Sequence, residues 1–360
     1  MWKYIPELAP SRVKKNLTRW WRINVNPPKE SKIFVKPEEV KEVGVLLDSI
    51  KTKEQPKQVL YDHHSKMAYV SCMKGKSVQV FSVKDGNLEL STEKDFADQC
   101  VELAMDTDYL YVTTTNFVKS PLETKNKFYI LSKDNLEVVS SVDTGGNWSK
   151  VMALNPDGTE VLISNWQTQN ISVMDISDPK HPKLKQLLTW GKAPRGIEFT
   201  DDGKTAIVTG YYSGNLGVLE KDNEGVWNET FTSEPFDYPN YHGNMRHVLI
   251  DGDMAIVSNM GRSMVHFWSI GERKFVDSVS VGKYPNTICF LSKNIIAISC
   301  RESRSVYLLD RVSHKILGRS VLTSEEPTGL SRVDNNRLLV TGFKKGVLEL
   351  HSFESAKIGR

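Results

Sequence analysis

Residues 191–222 read as three short strands separated by turns, and most of the chain repeats that outline. Asp201, Asp202, Gly203 and Lys204 form a tight turn: the carboxylates tolerate its geometry and the glycine takes positive φ without steric penalty. The turn joins a strand over residues 195–199 to a second over 205–209, which is rich in β-branched residues. Ser213, Gly214 and Asn215 turn the chain again into a third strand over 216–220.

Aligned on the hydrophobic residue that follows each opening dipeptide, Val59, Leu103, Val151, Ile197, Val248, Ile288 and Leu330 recur at roughly 40 to 50 residues, the period of propeller blades. The second strand of each unit closes on one pattern: Val70-Ser71-Cys72, Val112-Thr113-Thr114, Ile163-Ser164-Asn165, Val208-Thr209-Gly210, Val257-Ser258-Asn259, Ile298-Ser299-Cys300 and Val340-Thr341-Gly342. Seven units agreeing at both landmarks predict an all-β chain, a seven-bladed β-propeller over residues 41–360. The units resemble YVTN-type repeats, those of surface-layer-like and lactonase-like propellers. That resemblance implies the fold and leaves function open, because propellers carry many unrelated activities.

The seventh unit runs out of chain before a fourth strand. Residues 43–50, VGVLLDSI, resemble residues 316–323, ILGRSVLT, which close the sixth unit. The N-terminal strand is therefore expected to complete the last blade and leave no open seam.

Residues 1–40 form a basic, aromatic extension outside the repeats. A short helix is expected over 11–25, capped by Ser11, with Val13, Leu17, Trp20 and Trp21 on one face and Lys14, Lys15, Arg19 and Arg22 over much of the rest. Such a helix suits either an anionic membrane surface or the propeller flank. No apolar run there is long enough for a secretory signal or a membrane span, so the expected location is cytoplasmic, peripheral at the membrane if the helix binds lipid. The sequons at Asn147, Asn170 and Asn228 carry no weight in that setting. The cysteines at 72, 100, 289 and 300 show no CxxC spacing and read as buried free thiols of a reducing compartment; Cys289 and Cys300 facing each other across unit six is the alternative. A net charge of +3 is too small to argue for a nucleic-acid partner.

Antiparallel strands alternate their connections between two faces. The second-to-third-strand loops and the blade-to-blade loops share one face, together with the innermost-strand starts that ring the central channel. Both long insertions, about 115–125 in unit two and 233–245 in unit four, fall on that face, where binding sites usually lie. The expected ring is Lys57, Val101, Ser149, Arg195, Arg246, Asn286 and Thr328. The expected loop residues are Lys74, Asn116, Trp166, Tyr211, Tyr212, Arg262, Arg301 and Lys344. Asp237, Tyr238, Tyr241 and His242 come from the unit-four insertion, and Trp148 and Tyr284 precede their ring positions.

This collection is basic and aromatic. Arginine forks match carboxylates, phosphates and sulfates, and aromatic faces stack on sugars or nucleobases. The leading expectation is a binding or scaffold propeller presenting this face to an anionic small molecule, a glycan or a protein partner. The opposing expectation is that the cations only close the channel by pairing with Asp98, Glu302, Glu325 and Glu326. An enzymatic alternative rests on Met245-Arg246-His247-Val248, which is similar to the Pro-Arg-His entry of lactonase-like propellers. There His247 would be the base and Arg246 the oxyanion partner for a sugar-derived lactone, with Met245 replacing the proline and no matching acid. A polysaccharide lyase built on Tyr241, His242, Arg195 and Arg246 ranks lower. No histidine spacing suggests a metal, and no phosphate loop, nucleophile elbow or dinucleotide fingerprint implies a cofactor.

Overall fold

A computed structural model describes residues 39–116, 126–191, 193–236 and 244–353. The expected extension helix and the inner parts of both insertions, with Asp237, Tyr238, Tyr241 and His242, lie outside the described residues.

The strands assemble into seven four-stranded antiparallel sheets. The innermost strands are Pro56–Asp62, Gln99–Met105, Ser149–Leu154, Pro194–Phe199, Met245–Asp251, Pro285–Ser292 and Pro327–Arg332, and each packs beside the next until the seventh meets the first. The result is a closed seven-bladed propeller. Gly44–Lys51 is the outermost strand of the seventh blade, antiparallel to Val347–Phe353, with Gly44 opposite Phe353 and Lys51 opposite Val347. The N-terminal closure expected from the sequence is the one observed.

The local rules behave as the sequence suggests. In the turn after Pro194–Phe199, Gly203 has φ of 64° and the Asp202 carboxylate accepts the backbone N–H groups of Lys204 and Thr205 at 2.8 and 3.0 Å. Among the described residues the apolar core divides into seven clusters, one per blade interface. One joins Val59, Phe81, Leu339 and Leu350 across the seam between the first and last blades. Burial of each such side chain contributes about 1.5–3 kcal/mol, so the ring is held by many equivalent increments.

The Ser/Thr of the repeated second-strand pattern explains how the blades are locked together. Each innermost strand carries a register shift at its start, at Pro56/Gln58, Cys100/Glu102, Ser149/Val151, Pro194/Ile197, Met245/Val248, Pro285/Ile288 and Pro327/Leu330. A bulge leaves one backbone N–H without its ladder partner. The buried hydroxyl accepts it: Gln58 donates to Ser71, Glu102 to Thr113, Val151 to Ser164, Gly196 to Thr209, His247 to Ser258, Thr287 to Ser299 and Gly329 to Thr341, all at 2.7–3.2 Å. Five of these hydroxyls also donate to a carbonyl of the following blade: Ser71 to Val101, Ser164 to Arg195, Ser258 to Asn286, Ser299 to Thr328 and Thr341 to Lys57. Gly196 and Gly329 stand so close to the neighbouring strand that an added Cβ would lie 2.7 Å from the Arg246 carbonyl and 2.8 Å from Gln58 Cα, respectively.

Two expectations need correction. Val151 is not the equivalent of Val59: in unit three Met152 pairs with Ile163 as Val59 pairs with Val70, so the register is one residue later than the hydrophobic pattern suggests. Cys289 and Cys300 do not face each other, because Cys289 sits opposite Ala297 and Cys300 opposite Pro285. Cys72, Cys100 and Cys300 are buried, Cys289 is partly so, and all four are free thiols.

Thr341→Val keeps the shape of the side chain and removes the hydroxyl that serves the Gly329 amide. It should lower unfolding stability by about 1–3 kcal/mol, the usual cost of a buried unsatisfied donor, as read by urea denaturation.

Candidate functional site

The bulge decides what reaches the channel. It turns the third-blade register so that Lys150, not Ser149, is the equivalent of Lys57. The ring is therefore Lys57, Val101, Lys150, Arg195, Arg246, Asn286 and Thr328. Ser149 is instead buried beside its strand, where it donates to Asn165 at 2.7 Å.

A second repeated contact brings the loop residues over this ring. The first residue past the second strand donates its backbone N–H to the residue preceding the innermost strand. The pairs are Met73 to Gln55, Trp166 to Trp148, Tyr211 to Ala193, Met260 to Asn244, Arg301 to Tyr284 and Phe343 to Glu326, at 2.8–3.2 Å. Gln55, Trp148, Ala193, Tyr284 and Glu326 all take left-handed backbone, with φ of 50–58°. A non-glycine residue held there costs about 1–3 kcal/mol, and such strain gathers where a surface has work to perform.

The two tiers enclose a cavity of about 210 Å³ at the mouth of the central channel. Lys57, Lys150, Arg195, Arg246 and Thr328 line it from the ring, and Met73, Trp166, Tyr211, Arg301 and Phe343 from the loops. Five cations thus converge. Lys57 is paired with Glu102 at 2.6 Å, and Arg301 is paired with Glu326. Arg195 and Arg246 have no carboxylate partner among the described residues; Arg195 is 6% exposed and its Nη1 is buried without a hydrogen-bond partner. Arg246 places Nη1 3.6 Å from the Met260 sulfur, a weak acceptor.

Electrostatics follow from that crowding. Burial, reinforced by Arg195 and Arg246 and only partly offset by Glu102, brings the Lys57 ammonium down to about 8. Burial and the charges of Arg195, Lys57 and Arg246 push Lys150 well below the usual lysine range, and burial with Arg195 and Arg301 does the same to Arg246. The cations lie near one another in a partly desolvated site, where their repulsion is screened less than at an exposed surface.

The aromatic wall stands on one side. Trp166 stacks on Trp148 with ring centroids 5.0 Å apart, and Tyr211 and Tyr212 approach Trp166 at 5.5 and 5.4 Å. The Lys150 ammonium lies 5.1 Å from the centre of the Trp148 ring, and Arg301 lies 5.5 Å from that of Phe343.

Beneath the arginines a smaller void of about 20 Å³ is lined by Gln58, Glu102, His247, Asn286 and Thr287. His247 belongs here rather than to the main cavity. Burial first, then the positive charges of Arg246, Lys57 and Arg195, bring its imidazole down to about 3. His266, in the strand Met264–Ser269, is fully buried between Asn259 and Ser278, and burial likewise brings it down to about 3.

Of the residues singled out from the sequence, Lys57, Arg195, Arg246, Arg301, Trp166 and Tyr211 come together in the cavity. Trp148 and Tyr212 support its wall from behind and above. Lys344 and Lys74 do not reach it: they are exposed and pair with Glu325 and Glu54. Their places are taken by Phe343 and Met73, each one residue earlier. Lys150, Met73, Phe343 and Glu102 were missed. Channel closure by pairing accounts for Arg301 with Glu326, but not for Arg195 or Arg246. Among the described residues no three histidine, cysteine, aspartate or glutamate side chains form a group able to hold a metal ion.

No family model matches the chain. It is similar to Antigen Lp49 of Leptospira interrogans, 24% identical over 340 residues, covering 85% of this chain and 71% of the relative.

A histidine whose folded pKa lies near 3, against about 6.5 unfolded, leaves the unfolded state binding the extra proton between those values. His247 and His266 should therefore contribute a loss of stability as pH falls from about 6.5 toward 3. Urea midpoints at pH 7 and pH 5 should show that fall, and His247→Asn should lessen it.

Proposed function

We propose that this chain is a binding protein of the YVTN-type propeller class, whose channel mouth captures a small anionic ligand. The observation that carries the reading is the pair Arg195 and Arg246. Two guanidiniums from adjacent blades line one cavity, neither pairs with a carboxylate among the described residues, and Arg195 keeps a buried N–H donor unpartnered. Buried charge is normally paired or absent, because desolvating it costs several kcal/mol. An uncompensated pair persisting in a pocket is what an anion-binding site needs, and an arginine fork is the side chain best shaped for the anion.

The lactone-hydrolase alternative draws no support from the pocket. A base near 3 accepts a proton poorly at neutral pH, and His247 lies in the smaller void rather than beside the main cavity. The name of the leptospiral relative assigns no ligand to that protein, so the reading rests on the cavity.

Thermal-shift titration against simple anions tests it, since a ligand bound only by the folded state raises the melting temperature by mass action. The wild-type protein should be stabilised by at least one of phosphate, sulfate or a small carboxylate at constant ionic strength. Arg195→Gln should weaken that ligand about ten- to a hundredfold, the range expected for lost hydrogen bonds to a charged group. Equal responses of wild type and Arg195→Gln to every anion would refute the site.

A further inference from the structure

Resting on that anion-binding reading, we infer that the ligand carries a compact, doubly charged head of the phosphomonoester class, gripped by Arg195 and Arg246, with a small organic body against Trp166 and Tyr211. Three independent features converge on this class.

The first is the chemistry of the orphaned atoms. Among the residues lining the cavity, the buried polar side-chain atoms without a hydrogen-bond partner are Arg195 Nη1, Arg301 Nε and Trp166 Nε1. All three are N–H donors. A buried donor left unpaired costs about 1–3 kcal/mol, so each calls for an acceptor. A ligand that satisfies them is rich in acceptor oxygens and needs no donor at those points.

The second is charge. Three guanidiniums, of Arg195, Arg246 and Arg301, line the cavity with Lys57, and among the described residues two carboxylates pair with this set, Glu102 with Lys57 and Glu326 with Arg301, leaving the forks of Arg195 and Arg246. A monocarboxylate brings one charge and two oxygens, enough for one guanidinium fork. A phosphomonoester brings close to two charges and three terminal oxygens, enough to bridge two forks from adjacent blades.

The third is size and shape. At about 210 Å³ the cavity lies below the roughly 300–1,000 Å³ of pockets for drug-sized ligands. That room suits a head group with a few carbons rather than a nucleotide or an oligosaccharide. The rings of Trp166, Tyr211 and Phe343 and the Met73 side chain line the same cavity as the arginines. A short polyol or sugar face lies well on such surfaces.

Binding of a dianion should also be coupled to protons. Lys57 faces Glu102, Arg195 and Arg246, and Lys150 faces Arg195, Lys57, Arg246 and Glu102. Burial and the neighbouring positive charges weaken the hold of both amines on their protons, so that at pH 8 a part of them is neutral. A dianion among them strengthens that hold, so the protein takes up protons on binding. At pH 8 a phosphomonoester, with its second pKa near 6, is already a dianion and contributes few protons itself.

The test compares glycerol 3-phosphate with glycerate, which carry a similar short vicinal diol on a dianion and a monoanion. Calorimetric titration of the full chain at pH 8, in two buffers of different ionisation enthalpy, reads affinity and proton uptake together. Glycerol 3-phosphate should bind at least tenfold more tightly than glycerate, with net proton uptake. Arg195→Lys should lose most of that preference, and Trp166→Phe, which keeps a ring and removes the N–H, should weaken the phosphate ligand several-fold. Thermal melts establish that both variants fold. Glycerate binding as well as or better than glycerol 3-phosphate would overturn the dianion assignment while leaving an anion site. Phosphate binding without proton uptake would overturn the assigned placement among the lysines. Failure of both ligands, together with no response to sulfate or chloride, would overturn the anion-binding reading itself.

Discussion

The structure depends on one buried hydrogen-bonded device, repeated around the ring. A bulge at the start of each innermost strand strands a backbone amide, and a serine or threonine on the second strand accepts it. In five blades the same hydroxyl is also shown reaching the carbonyl of the next blade's ring residue. The hydroxyl thus fixes both where a strand kinks and where its neighbour stands. Apolar packing between sheets is non-directional and tolerates sliding. A short hydrogen bond in a buried site does not. The register of the channel is set by this ring of hydroxyls.

That register has an electrostatic consequence. The kink presents Lys57, Lys150, Arg195 and Arg246 at one level, where a helical or flat surface would spread them apart. The protein offsets part of the repulsion with Glu102, with Glu326 beside Arg301, and with the aromatic faces of Trp148 and Phe343. Among the described residues Arg195 and Arg246 pair with no carboxylate, and only the more distant charge of Glu102 favours them. Strained backbone at Gln55, Trp148, Ala193, Tyr284 and Glu326 borders the same mouth. Left-handed residues also occur in turns elsewhere in the blades, such as Lys66, Leu136 and His314, so it is the crowding of cations, and not the strain, that sets this mouth apart.

Most of the fold was legible because its defining residues are local. The Val/Ile-Ser/Thr pairs at 70–71, 163–164 or 340–341 name the second strand and carry the hydroxyl that makes the bulge. The pairing of the last blade with residues 44–51 was also readable, since a propeller edge must be covered. The site was legible to within a residue and no further. In unit three the run Val151-Met152-Ala153 is apolar throughout, so hydrophobicity alone does not say which residue is the landmark, and Lys150 was passed over for Ser149. Counting back from Ile163, whose Ser-Asn context is unambiguous, finds it. Lys344 is the charged residue that a basic face singles out, yet the loop turns it outward to Glu325 and Phe343 lines the cavity. Glu102 was invisible for a different reason: it reaches Lys57 from the neighbouring blade, a contact set by three-dimensional closure and by no spacing along the chain.

The central claim is that the buried charge of Arg246 costs the folded protein stability, as the proposed anion site requires. The melting temperature of Arg246→Met in low-salt buffer without added multivalent anion tests it most directly, since methionine keeps much of the volume and removes the charge. Arg246→Met should melt higher than wild type, by about 1 °C for each kcal/mol of repulsion relieved in a chain of this size. A lower melting temperature would mean that Arg246 holds the channel together, and would contradict the account.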